Sequence, residues 1–117
     1  LAPGGYHLMV EENHFALSME ASVNYAQPSI DLLFKTAAEH FGSRVIGVVL
    51  TGTGRDGALG LAEIERCGGV VLIESRRTAV AQEMPKAAFE ATLHPIELKL
   101  EEIGPYLVKL DREQETE

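Results

Sequence analysis

The sequence predicts an α/β domain: a mainly parallel sheet flanked by helices, with a short β-hairpin near the amino terminus. Three observations carry that expectation. Apolar runs at 45–50 and 69–73 have the near-continuous hydrophobicity of strands buried on both faces. Each run is followed by a segment of helical character, so strands and helices alternate along the chain. The first run ends in Thr51-Gly52-Thr53-Gly54-Arg55-Asp56-Gly57, too rich in glycine to continue a strand or a helix. Strand, glycine turn and helix in that order mark the carboxyl end of a parallel sheet, where open α/β proteins gather their functional groups.

Taken in order, residues 6–10 and 14–19 read as two short strands around the polar turn Glu11-Glu12-Asn13. Phe15, Leu17 and Met19 alternate with polar or small residues, as a half-buried hairpin strand requires. A loop at 20–27 follows. Pro28-Ser29 then starts a helix, with Ser29 as N-cap and Asp31 in the first turn. Ile30, Leu33, Phe34, Ala37, Ala38 and Phe41 form one apolar stripe, which Gly42 ends. Val45, Ile46, Val48, Val49 and Leu50 make the central strand, interrupted only by Gly47. From Ala58 a helix runs to Cys67, with Ala58, Leu61, Ala62 and Ile64 toward the sheet, and Gly68-Gly69 stops it.

The second buried strand, 69–73, is closed by Glu74-Ser75-Arg76-Arg77, and 74–83 reads as a loop with at most one helical turn. Met84-Pro85 opens a short helix through Ala87, Ala88 and Phe89, with Pro85 suited to the first helical position. Ile96, Leu98 and Leu100 alternate as a last strand. A closing helix at 101–110 places Ile103, Leu107 and Leu110 on one face, and Pro105 limits its regular part. Residues 111–117 form a charged tail, expected to be disordered. No repeat or linker divides the chain, so 1–110 is read as one domain.

Bulk properties exclude several function classes. The 117 residues suffice for one modest core, and 45% hydrophobic residues is a globular composition. A formal charge of −8 argues against a nucleic-acid partner, because phosphate binding needs a basic surface. No apolar run approaches the ~18–20 residues of a membrane span, and no signal-peptide pattern opens the chain. The single cysteine, Cys67, reads as a small buried residue at a helix end; with no internal disulfide possible, a reducing compartment fits. The four histidines lack metal-ligand spacing, and no metal or cofactor is expected. The chain opens at Leu1-Ala-Pro-Gly-Gly without a methionine, which suggests part of a longer protein.

Three readings of the turn compete. Gly52-x-Gly54-x-x-Gly57 is formally a dinucleotide fingerprint between a strand and a helix, and Glu74 follows the second strand near the spacing of a ribose-binding acid. Asp56 opposes it, because a carboxylate at that helix end repels phosphates by about 1–4 kcal/mol at ~4 Å. Asp56 also fits an N-cap of its own helix, where it would stabilise by roughly 1 kcal/mol. A carboxylate at a strand's carboxyl end equally suits the orientation of a catalytic histidine. Spacing alone does not choose among them.

Four stretches occur in a telling order: Leu1-Ala-Pro-Gly-Gly-Tyr-His-Leu, Gln27-Pro-Ser-Ile-Asp-Leu-Leu-Phe, Val48-Val-Leu-Thr-Gly-Thr-Gly-Arg-Asp-Gly-Ala and Glu83-Met-Pro-Lys-Ala-Ala. Together they resemble the catalytic domain of the chemotaxis protein-glutamate methylesterases, the CheB type, over nearly the whole chain except its tail. The resemblance implies the carboxyl-terminal portion of a doubly wound, Rossmann-like esterase domain. It also implies hydrolysis of glutamate methyl esters, often with glutamine deamidation, on the cytoplasmic helices of chemoreceptors. That family uses a Ser-His-Asp triad. Its Thr-Gly-Met-Gly-x-Asp-Gly turn matches 51–57, which carries the triad aspartate to Asp56 and the active-site turn to Thr51, Gly52, Thr53, Gly54 and Gly57. The family's serine and histidine precede the Ala-Pro-Gly segment, so both are expected ahead of Leu1.

The resemblance further implies a cytoplasmic protein, without membrane insertion, whose parent chain can carry a phosphorylatable regulatory domain. Three positions depart from the pattern: Thr53 stands for methionine, Tyr25-Ala26-Gln27 for His-Arg next to Pro-Ser, and Glu83 for the glycine before Met-Pro. These departures, with the absent nucleophile, keep open a non-catalytic relative that binds a receptor or another partner. The dinucleotide binder is the third alternative.

Overall fold

The computed structural model describes residues 7–11, 14–18, 30–52 and 54–115, with side chains from Ile30 to Glu113. The expectations for Tyr6, Met19, the Ser29 cap, Thr53, residues 25–27 and the end of the tail lie outside the described residues. The amino-terminal hairpin pairs His7–Glu11 (β1) with His14–Ser18 (β2) antiparallel, His7 opposite Ser18. The apolar stripe after it folds as Ile30–Phe41 (α1), which packs against β1. Gly42, at φ 53°, turns the chain through a short 3-10 segment, Gly42–Arg44.

Ile46–Val49 (β3) leads through the glycine turn into Ala58–Arg66 (α2), which α1 packs against. The stop signal reads out as expected. Gly68 adopts φ 89°, Gly69 N–H donates to Ile64 O (2.9 Å) and Gly68 N–H to Glu65 O (3.0 Å). Those two bonds are a Schellman motif, which needs a residue free to adopt the left-handed region. Val70–Glu74 (β4), Glu83–Ala91 (α3), Ile96–Leu98 (β5) and Leu100–Glu115 (α4) complete the chain.

The sheet has the order β3-β4-β5, all parallel, with Ile46 opposite Val70 and Leu72 opposite Ile96. Side chains alternate across it. Gly47, Val49, Val71 and Ile73 share the face covered by α2 and α3, where Leu61, Ile64 and Ala88 close the core. Leu72 and Glu74 point to the other face, and α4 packs against β4 and β5. Cys67, half-buried, packs at the margin of this core at the end of α2.

Four expectations are corrected. The central strand is not buried on both faces: Ile46 is 40% exposed and Leu50, just past its end, 41%, on the face where α4 packs against β4 and β5. Leu100 begins α4 instead of ending β5, since Glu102 Oε1 accepts the Lys99 N–H (2.8 Å), half of a capping box. Pro85 is the third residue of α3, still within the first turn, where a missing N–H costs no helical bond. Finally, α4 continues to Glu115 through five residues read as tail, and contains Pro105.

Among the described residues β3 has no strand partner on one side, and exposed Ile46 and Leu50 beside that edge make an association-prone surface. Placing a charge there, Ile46→Lys, is expected to reduce concentration-dependent association of this 117-residue chain in sedimentation velocity. Unchanged association would put the contact elsewhere.

Candidate active site

The glycine turn leaves β3 at the carboxyl end of the sheet, and three neighbours hold its backbone. Glu74, the last residue of β4 and only 1% exposed, accepts the Thr51 N–H at Oε1 (2.9 Å) and the Thr78 hydroxyl at Oε2 (2.8 Å). A carboxylate this buried persists only when its oxygens find donors. The segment ahead of α3 supplies the second staple. Gly52 N–H donates to Ala81 O (3.0 Å), Met84 N–H to Gly52 O (3.1 Å), and Ala81 N–H to Thr51 Oγ1 (2.8 Å). A Cβ at Gly52 would meet Met84 Sδ, so a larger residue there would force the Met84 side chain to move. The third is Glu83, which accepts the Gly54 N–H (3.0 Å) at a residue with φ 82°. Thus one departure from the family pattern, Glu83, acts directly on the turn.

Asp56 does not cap its own helix. Its Oδ2 accepts the N–H of Ile30 (2.7 Å) and its Oδ1 the N–H of Asp31 (3.0 Å), so it caps α1 across the helix pair. The N-terminus of α2 is served in return by Asp31, whose Oδ1 accepts the N–H groups of Gly57 (3.0 Å) and Gly60 (2.7 Å). Gly57, the N-cap of α2, has φ 100° and offers no side chain of its own. Each helix is therefore capped by an aspartate belonging to the other. Two free N–H groups and the positive end of a helix dipole favour a carboxylate in each place. The close approach this needs is made at Gly60, where a Cβ would lie 2.6 Å from Phe34 Cβ. Asp31 is 6% exposed, whereas Asp56 is half-buried at the mouth of the turn.

This geometry removes the dinucleotide reading. The N–H groups that would cradle a pyrophosphate already serve carboxylates: Thr51 on Glu74, Gly54 on Glu83, Gly57 and Gly60 on Asp31. Glu74, read as a ribose ligand, is instead buried beneath the turn. The local cap reading of Asp56 is corrected as well, because the helix it caps is α1.

Of the expected turn residues, Thr51, Gly52, Gly54, Asp56 and Gly57 come together here, while Thr53 is outside the described residues. Serines and histidines with described side chains do not complete a triad. Ser43 and His94 precede β3 and β5, at the opposite end of the parallel strands. His40 lies ~14 Å along α1 from the end that Asp56 touches. Ser75 is at the right end of the sheet but is buried, and its Oγ accepts the Arg77 N–H (3.2 Å). No cluster of three or more metal-ligating side chains forms among the described residues. The residue that sequence reasoning misses is Asp31, for which local sequence shows only a favourable place in the helix dipole.

Comparison with known proteins gives this arrangement a family. The chain is 42% identical over 113 residues to a relative from Leptospira interrogans, covering 96% of this chain and 58% of that one. It is 40% identical over 117 residues to a protein-glutamate methylesterase/protein-glutamine glutaminase of Caulobacter vibrioides, covering 96% of this chain and 34% of that protein. The crystal structure of the Thermotoga maritima CheB methylesterase catalytic domain superposes with a TM-score of 0.87 at 33% identity, over 93% of this chain and 60% of that one. The chain thus spans less than two thirds of each of these proteins. Residues 1–107 match the family model of the CheB methylesterases, and the chain belongs to that family.

Proposed function

We propose that this chain is the carboxyl-terminal part of a protein-glutamate methylesterase catalytic domain, and that Asp56 is the aspartate of its Ser-His-Asp triad. The serine and histidine come from sequence ahead of Leu1. The substrate is a methyl-esterified glutamate on the cytoplasmic helices of a chemoreceptor, with glutamine deamidation as a second reaction of the same site. The setting is the cytoplasm, in a parent chain that can also carry a phosphorylatable regulatory domain. Among the described residues no helix is long and apolar enough to cross a membrane.

One observation carries the reading: Asp56 is held from behind by the N–H groups of Ile30 and Asp31, at the carboxyl end of the sheet. Those two bonds fix the carboxylate's place at the mouth of the turn, where an imidazole would meet it. The serine hydroxyl attacks the ester carbonyl while histidine takes its proton. Asp56 fixes the imidazole tautomer and stabilises the imidazolium, which returns the proton to the departing methanol. Water then repeats the sequence on the acyl-enzyme.

The test is methanol release from methylated receptor membranes by the full-length protein. Release is expected from it and not from residues 1–117 alone. No release by the full-length protein would favour the non-catalytic binding relative, in which Glu83 marks a turn adapted away from turnover.

A further inference from the structure

The triad reading gives Asp56 a task and leaves a second carboxylate, Asp31, without one. Its placement is unusual on three counts. It is nearly fully buried, at 6% exposure. It accepts two N–H groups of α2, from Gly57 and Gly60. Through its own N–H it also donates to Asp56 Oδ1 (3.0 Å). Residues 31 and 56–57 therefore close a ring: Asp56 receives from Asp31, and the residue after Asp56 donates back to Asp31.

From this ring we propose that Asp31 is a positioning residue for Asp56, setting where the triad carboxylate points. The inference rests on the triad reading of the preceding section. The turn's backbone is stapled ahead of Asp56, at Thr51, Gly52 and Gly54, whereas the Asp56 carboxylate itself is held by the N–H groups of α1. Two like charges this close also repel. They stay together because each is drawn to the N-terminus of the other's helix.

Removing the Asp31 side chain changes both conditions at once. The N–H groups of Gly57 and Gly60 lose their acceptor, and a buried donor left unmet is costly. Asp56, adjacent to Gly57 in the chain, is then drawn toward them at the expense of its bonds to Ile30 and Asp31. It then folds back to cap its own helix, the arrangement that local sequence preference favours. In that position it no longer holds the imidazole. Asp31 acts in this scheme through Asp56 and does not touch substrate.

The experiment is steady-state methanol release by the full-length protein, comparing Asp31→Ala, Asp31→Asn and Asp56→Asn well below their melting temperatures. Asp31→Ala is expected to lower kcat at least about tenfold with KM within about threefold, as for an interaction realised in the transition state. Asp31→Asn keeps an oxygen facing the two glycine N–H groups and is expected to stay within about threefold of the unmodified protein. Should the alanine variant fail to fold, Asp31→Ser, whose hydroxyl stops one bond short of the place Oδ1 holds toward Gly57 and Gly60, carries the same expectation of lost kcat.

Full kcat in folded Asp31→Ala or Asp31→Ser, alongside an inactive Asp56→Asn, overturns the positioning role and leaves the triad reading standing. So does a loss in Asp31→Asn as large as that in Asp31→Ala, because the acceptor would then not be what matters. Full activity in Asp56→Asn removes the triad reading itself.

Discussion

Asp56→Asn in the full-length protein is expected to fold, to melt earlier, and to lose about 10²–10⁴-fold in turnover, by analogy with the aspartate of serine proteases. The two effects have separate causes. Asparagine offers one oxygen where Asp56 uses two, one toward Ile30 N–H and one toward Asp31 N–H. Its amide nitrogen must face one of those donors, and the charge that favoured the helix end is gone. About 1–3 kcal/mol of stability is therefore expected to go. Had Asp56 been a simple N-cap of its own helix, asparagine would have replaced it almost without cost. Turnover read well below the melting temperature isolates the chemical effect: loss there places Asp56 in the mechanism. A destabilised variant with normal turnover would leave it only a cap of α1.

Gly60→Ala is the second large expectation, and its sign opposes helix propensity. In the interior of a helix, alanine is favoured over glycine by about 1 kcal/mol. At Gly60 the added Cβ would sit 2.6 Å from Phe34 Cβ, 2.9 Å from Asp31 O and 3.0 Å from Asp31 Cα. Two of those atoms are backbone and cannot rotate away, so α1 must shift. The shift stretches the 2.7 Å bond from Gly60 N–H to Asp31 and loosens the seat of Asp56 on α1. Overpacking and a weakened bond to a buried carboxylate together outweigh the propensity gain, for a net loss of about 2–4 kcal/mol. Thermal denaturation checks the sign, since a raised melting temperature would mean that the helices do not approach this closely. Turnover is expected to fall with it, because the same shift moves Asp56.

The elements that periodicity and punctuation predict are the ones the structure contains. The stripe from Ile30 to Phe41 forms α1, the two apolar runs form adjacent parallel strands, and Gly68-Gly69 ends α2 through a Schellman motif. These features are local: a stripe needs a partner face of any kind, and a left-handed helix end needs a residue without a Cβ. Errors arise where an apolar pattern meets a cap or an uncovered face that the pattern does not encode. Alternation over Ile96, Leu98 and Leu100 suggests a longer strand, yet Glu102 starts α4 at Leu100. Continuous hydrophobicity at 45–50 suggests two covered faces, yet Ile46 and Leu50 are 40% and 41% exposed, because α4 packs against β4 and β5.

The site divides the same way. By itself the sequence determined the alternation of strands and helices, the glycine turn at the carboxyl end of β3, and Asp56 as the charged group that turn displays. Only the tertiary structure decided what Asp56 holds and what holds it. Its donors lie 25 and 26 positions away in the chain, and Asp31 reciprocates across 26 and 29. Read locally, each aspartate prefers the nearest free N–H groups, those of its own helix. Packing α1 against α2 at Gly60 brings a second helix N-terminus within reach, and the preference is exchanged. Hydrogen-bond donors and helix dipoles act over a few ångströms of space, whatever the distance along the chain.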